Sequence, residues 1–187
     1  AYLGATMLRN VVLAAETFEA FRKVEVLDLE VEQNHALAVA RLAQEIACPE
    51  QSEDAFVAGL LHDIGRLALA VAAPQRLAEV EKLRAVDPDR ARHLELMRGL
   101  RHDHVGAYLL GIWGLPYGIV EAAAFHHEPE LVASDSFDLL CAVYVANSLV
   151  AGVDDEILGP FVERFGRGAE LSAWRELAVE AVGEGSK

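Results

Sequence analysis

Basic residues are scarce in this 187-residue chain, which has 16 Lys and Arg against 30 Asp and Glu and a formal net charge of -14. Phosphate neutralisation needs clustered cations, so this balance argues against direct nucleic-acid binding. Cysteine is also rare: Cys48 and Cys141 are too few for a disulfide framework, and both lie in alanine-rich sequence. They read as small core residues in a reducing cytoplasm. No apolar run approaches the roughly 20 residues of a spanning helix, and no basic-then-apolar leader opens the chain. The expectation is a cytoplasmic protein without membrane contact. β-branched alternation, internal repeats, heptads and low-complexity linkers are lacking too, so one domain over residues 1–187 is expected. The chain starts at Ala1 without an initiator methionine, which reads as a cut from something longer.

With 53% hydrophobic residues, enough apolar surface is present for a full core. Turn residues divide the chain into pieces of helical length, and the predicted class is all-α. His35, Val39, Leu42 and Ile46 recur on one helical face, which points His35 inward. Pro49 breaks that helix, and Ser52 can cap the next, which carries Phe56, Leu60 and Asp63 on one side. Gly65 is expected to end or loosen it, although Leu67 to Ala72 holds enough helix formers to continue it. The stretch from Pro74 to Arg98 reads as two charged, peripheral helices around Asp87-Pro88-Asp89. The row His104, Tyr108, Gly111 marks the next helix, up to Gly114-Leu115-Pro116. Ile119, Ala123 and His127 mark the one after. The row Leu139, Val143, Asn147 places an amide on an apolar face, where it needs a partner. Residues 152–187 offer two short helices and a glycine-bearing end.

Within Ala58-Gly59-Leu60-Leu61-His62-Asp63-Ile64-Gly65-Arg66, adjacent imidazole and carboxylate groups stand in an apolar segment. Burying them is costly without a partner. An isolated His-Asp pair is often a helix cap or a salt-bridged couple. This one is not isolated, because His35 precedes it and His104, His126 and His127 follow in similarly apolar sequence. Imidazole and carboxylate together suit Zn, Fe, Mn or Mg, so the set is read as a divalent-metal site. His102 and His93 are expected to be solvated, and Tyr108, Trp113 and Tyr144 to be plain core.

These residues, with Tyr2-Leu3-Gly4, Leu8-Arg9, His104-Val105-Gly106-Ala107, Trp113-Gly114-Leu115-Pro116, His126-His127-Glu128-Pro129 and Ala142-Val143-Tyr144-Val145-Ala146-Asn147, resemble the HD superfamily of metal-dependent phosphohydrolases, and within it the HDOD domains. The resemblance spans residues 1 to about 150 and implies an HD-type helical bundle. HDOD domains carry a helical region ahead of the Tyr-Leu-Gly element, so an N-terminal lobe is expected to be missing.

Mapped onto this chain, the family's His, His-Asp and final Asp fall on His35, His62, Asp63 and Asn147. The last is a departure, since a neutral amide replaces a carboxylate. A second-metal set would add His104, His126 and His127, with Asp63 bridging the two ions. A carboxylate four residues before His35 is absent, because Val31 stands there, and the Gly-Tyr-Pro loop of cyclic-dinucleotide hydrolases is absent too. The resemblance implies one or two divalent ions acting as Lewis acids on a phosphoryl oxygen. If the site is active, Asp63 would bridge the ions and Arg66 would grip phosphate; otherwise Arg66 is a salt-bridge partner. Three functions are carried forward. The favoured one is a bacterial signalling or regulatory domain acting on a protein partner or neighbouring domain, with a phosphate-containing ligand in view. The others are an active phosphohydrolase and a metal-free helical scaffold.

Overall fold

A computed structural model describes residues 25–184, so the Tyr2-Leu3-Gly4 and Leu8-Arg9 elements and the last three residues lie outside the described part. Helices and short 3-10 turns make up its regular structure, with no strand among the described residues. Helix α1 (Leu29–Ile46) starts where the Asp28 side chain accepts the backbone N–H groups of Glu30 and Val31 at 3.1 and 3.3 Å. Its buried face includes Val39, Leu42 and Ile46, as the spacing predicts. Alanines at 36, 40 and 43 keep that face thin. Helix α2 (Ser52–Leu61) lies against it so closely that a Cβ on Gly59 would sit 2.7 Å from the Ala40 Cα.

The chain then turns at His62-Asp63 and enters α3 (Ile64–Ala72). The break therefore falls on the pair itself, and Gly65 sits inside the new helix instead of ending the old one. Its missing side chain serves a different purpose. A Cβ there would lie 1.9 Å from the His102 carbonyl oxygen and 2.6 Å from the Gly106 nitrogen. Only glycine lets the backbones of α3 and α6 (His102–Ile112) touch.

Between them, α4 (Pro74–Arg84) and α5 (Pro88–Met97) form a hairpin that buries Leu77, Val80 and Ala91. Gly99, at φ 62°, supplies the left-handed turn that returns the chain from α5 to α6, with the Leu100 N–H donating to the Glu95 carbonyl at 2.9 Å. Helices α7 (Tyr117–Phe125) and α8 (Leu139–Val150) complete the wall around the site. Helices α9 (Asp155–Glu163) and α10 (Leu171–Glu184) follow, and α10 packs on α1 and α8. Arg167 ties this last section down by donating to the Ile46 carbonyl at 2.8 Å.

The helical run Pro49–Ala72 corrects one expectation: with mean hydropathy 1.5 over its most apolar window, it is long and apolar enough to cross a membrane. It is the only such run among the described residues. It is kinked at His62-Asp63, and 61% of that window is buried inside the bundle.

Candidate metal centre

The turn between α2 and α3 presents His62 and Asp63 to the bundle interior from adjacent positions. His62 is fully buried, and its Nδ1 lies 2.7 Å from the Gly59 carbonyl oxygen. A carbonyl can only accept, so Nδ1 carries the hydrogen and the lone pair sits on Nε2. His126, just past the end of α7, repeats the device with Nδ1 at 2.9 Å from the Ala123 carbonyl. Both Nε2 atoms point at Asp63, at 3.5 Å for His62 and 3.4 Å for His126. His62 Nε2, His126 Nε2 and Asp63 Oδ1 are buried without a hydrogen-bond partner. Three such atoms facing one another leave a gap that a cation fits.

His102 completes the ring. Its Nε2 stands 3.2 Å from Asp63 Oδ1 and 3.0 Å from His127 Nε2, while its Nδ1 makes a short contact to Glu95. His127 is exposed and closes the cluster at its rim. His35, from α1, lies 5.4 Å from the His62 ring and borders the same cavity as Asn147 from α8. The donors fall into two groups that share Asp63. One is Asp63, His102, His126 and His127, and the other is His35, His62 and Asp63; within each, the ligand atoms lie within 4.8 Å of one another.

Burial pushes the His62 imidazole down to about 3 and lowers His35, so both stay neutral, as a ligand must. Asp63 is held well below the usual carboxylate range: burial opposes its charge, but His62, His102 and His126 outweigh it. Burial likewise opposes charge on His102, yet Asp63 and Glu95 hold it up at about 9. In the metal-free protein His102 is thus protonated, and a metal ion binding at its Nε2 would displace that proton.

A cavity of about 420 Å³ opens beside the cluster. Its lining includes His35, Asp63, His102, His126, His127 and Asn147 together with Arg66, Arg84, Arg92 and Tyr144. Arg66 is ion-paired to Glu32 and Glu81 at 2.8 and 3.1 Å. Arg66 thus has the acidic partners of its salt-bridge reading, and it also borders the cavity.

One expected ligand is displaced. His104 is exposed, because the face of α6 that meets α3 carries His102, Gly106 and Leu110, and the row through His104 and Tyr108 faces outward. His102, expected in solvent, takes the inward place. The charged middle stretch is not peripheral either, since α4 and α5 deliver Arg84, Arg92 and the fully buried Glu95 to the site. Sequence reasoning missed all four. The four-residue spacing of His102, Gly106 and Leu110 was a usable signal for the first, whereas charged residues on amphipathic helices gave none for the others.

A family model for the HDOD domain matches residues 1–129. Two solved structures superpose on nearly the whole chain. One, from Shewanella amazonensis and described as a "Putative phosphohydrolase", shares 26% identity at a TM-score of 0.73, covering 98% of this chain and 71% of the other. The second, an HDOD domain protein of unknown function from Geobacter sulfurreducens, shares 20% identity at a TM-score of 0.77, with 100% and 72% covered. An uncharacterised Treponema pallidum protein is 28% identical over an alignment of 108 residues, with 55% of this chain and 20% of that protein covered.

Proposed function

This chain belongs to the HDOD domain family, and on that footing we propose that it is a regulatory domain that binds divalent metal and retains a phosphate-containing ligand, with little turnover. The observation that carries this reading is the set of three inward Nε2 atoms on His62, His102 and His126, converging on Asp63 with their opposite nitrogens already engaged. One ion would be held by Asp63, His102, His126 and His127. A second would be held by His35, His62 and Asp63, with the Asn147 amide at its edge. A set this rich in imidazole favours Fe or Zn over Mg. Bound there, such ions polarise a phosphoryl oxygen.

The chain's own groups supply the rest of the ligand site. Arg66, Arg84 and Arg92 border the cavity, and among its described lining residues Asp63 is the only carboxylate. Glu32, Glu81 and Glu95 hold the guanidinium groups from behind. An anion entering the cavity meets cationic groups on both sides. Two dications sharing one carboxylate keep a strong positive charge, which favours keeping a phosphate over releasing it. Regulatory output would pass to a protein partner or neighbouring signalling domain. The similar segment of the Treponema protein makes up only 20% of that polypeptide, which supports that reading.

Elemental analysis of the purified chain tests the metal, and titration with inorganic phosphate tests the ligand. Stoichiometric metal and saturable phosphate binding that disappears on chelation are expected. A folded protein that takes up no metal would end the proposal. Asn147→Asp restores an anionic ligand, so metal affinity rises by roughly tenfold or more, on the scale of one added close charge. His102→Ala loses an ion, with affinity falling by more than about 10-fold, whereas His104→Ala binds as wild type. Equal behaviour of these two variants would remove His102 from the site.

The reading with hydrolysis is favoured by the description of the Shewanella structure. In it Asp63 would be the carboxylate shared by both donor groups and Arg66 would hold the phosphate. A phosphodiester screen separates the readings: wild-type turnover supports hydrolysis, and activity seen only in Asn147→Asp supports a retained ligand.

A further inference from the structure

Glu95 is an odd residue for its place. Helix α5 is short and carries many charged side chains, yet this one carboxylate is 0% exposed. Its two oxygens face different groups. Oε1 contacts His102 Nδ1 and also lies 3.4 Å from the His102 backbone nitrogen. Oε2 lies 3.3 Å from Arg84 Nη2 and 3.6 Å from Arg92 Nη1. A buried carboxylate is costly to desolvate, and here two guanidinium groups and an imidazole offset that cost. The arrangement has a direction, because the histidine it grips is the one whose other nitrogen reaches Asp63.

We propose that Glu95 is a positioning residue for the metal centre, selecting the His102 tautomer that carries its hydrogen on Nδ1 and offers the Nε2 lone pair beside Asp63. For His62 and His126 the same choice is made by carbonyl groups of their own helices, Gly59 and Ala123. His102 stands at the first position of α6, where no preceding turn exists to supply a carbonyl. The acceptor must come from elsewhere, and Glu95 fills the need from the neighbouring helix. Arg84 and Arg92 neutralise it from the cavity side, so that the α4–α5 hairpin holds a metal-ligand histidine and borders the ligand cavity at once. A carboxylate acceptor also makes the ring a stronger donor to metal than a carbonyl does. This inference rests on the reading of the cluster as a metal centre.

The test uses the full chain and zinc alone. Chelator competition gives the zinc affinity of wild type, Glu95→Gln and Glu95→Leu. Glu95→Gln keeps an acceptor oxygen for Nδ1–H but not the charge facing the arginines. It is expected to melt at lower temperature while holding zinc within about threefold of wild type. Glu95→Leu removes the acceptor, and zinc binding should weaken by about 10–100-fold. Long-range 1H–15N spectra of zinc-loaded wild type should show the hydrogen of His102 on Nδ1, a readout that stands even if the leucine variant fails to fold. Undiminished zinc affinity in folded Glu95→Leu, or a hydrogen on Nε2 of His102 in the loaded wild type, would overturn the proposal. A wild type that binds no zinc overturns the metal reading itself, so the two failures are distinguishable.

Discussion

Gly65→Ala is expected to lower the melting temperature by about 5–10 °C and to weaken metal binding at least about tenfold. The added Cβ would sit 1.9 Å from the His102 carbonyl oxygen and 2.6 Å from the Gly106 nitrogen, well inside the 3.0 Å that real Cβ contacts respect. Both obstacles are backbone atoms, so no rotamer change relieves them. Helices α3 and α6 must separate by about an ångström, and overpacking of this kind costs typically 1–3 kcal/mol or more. In a chain of this size each kcal/mol lowers the melting temperature by about 2–4 °C. The same displacement carries His102 away from Asp63, because the carbonyl that is struck belongs to His102. Gly111→Ala in the same helix is the control. It meets nothing within 4 Å, and its melting temperature should hold or rise slightly. Thermal melts and chelator competition on the two variants decide the matter, and parity between them would mean that the close helix contact does not set the site.

Asp63→Asn is expected to reduce metal loading to near zero, with affinity down by more than about 100-fold. The substitution keeps the shape and removes the one carboxylate that both donor groups share. Loss of an outer partner of a metal ligand already costs about 10–100-fold, so loss of a bridging ligand must cost more. The charge is present to be lost, because the surrounding imidazoles outweigh burial and keep Asp63 ionised. In the metal-free protein the change also removes one of the two anions flanking His102, leaving Glu95 alone. Inductively coupled plasma analysis after metal reconstitution gives the stoichiometry. Retention of wild-type loading in Asp63→Asn would show that the ions are held elsewhere.

The helices were largely legible because proline, glycine and capping residues punctuate them and the apolar rows have clear phase. Row Val39, Leu42, Ile46 of α1 is buried as its spacing predicts. The inward placement of His62, Asp63 and His126 follows the same logic of apolar surroundings. Helix α6 resisted that logic because apolar residues surround it on most sides, so local pattern left its phase open. The buried face there is marked by small residues, Gly106 and Ala107, while Tyr108 and Ile112 are exposed at 71% and 63%. A two-residue slip followed, from His102 to His104. Glu95, Arg84 and Arg92 were hidden for a different reason. Charged residues on an amphipathic helix read as solvated, and only the tertiary approach of α5 to α6 turns them into mutually neutralising, buried partners.

The central claim is that imidazoles from separate helices gather around Asp63 to hold divalent metal. Anomalous diffraction from crystals grown with zinc or iron tests it most directly. The expected result is a peak bonded by Asp63, His102, His126 and His127, with a second, weaker peak among His35, His62 and Asp63 on the side nearer Asn147. A map at saturating metal with no anomalous density within bonding distance of the Asp63 carboxylate would contradict it.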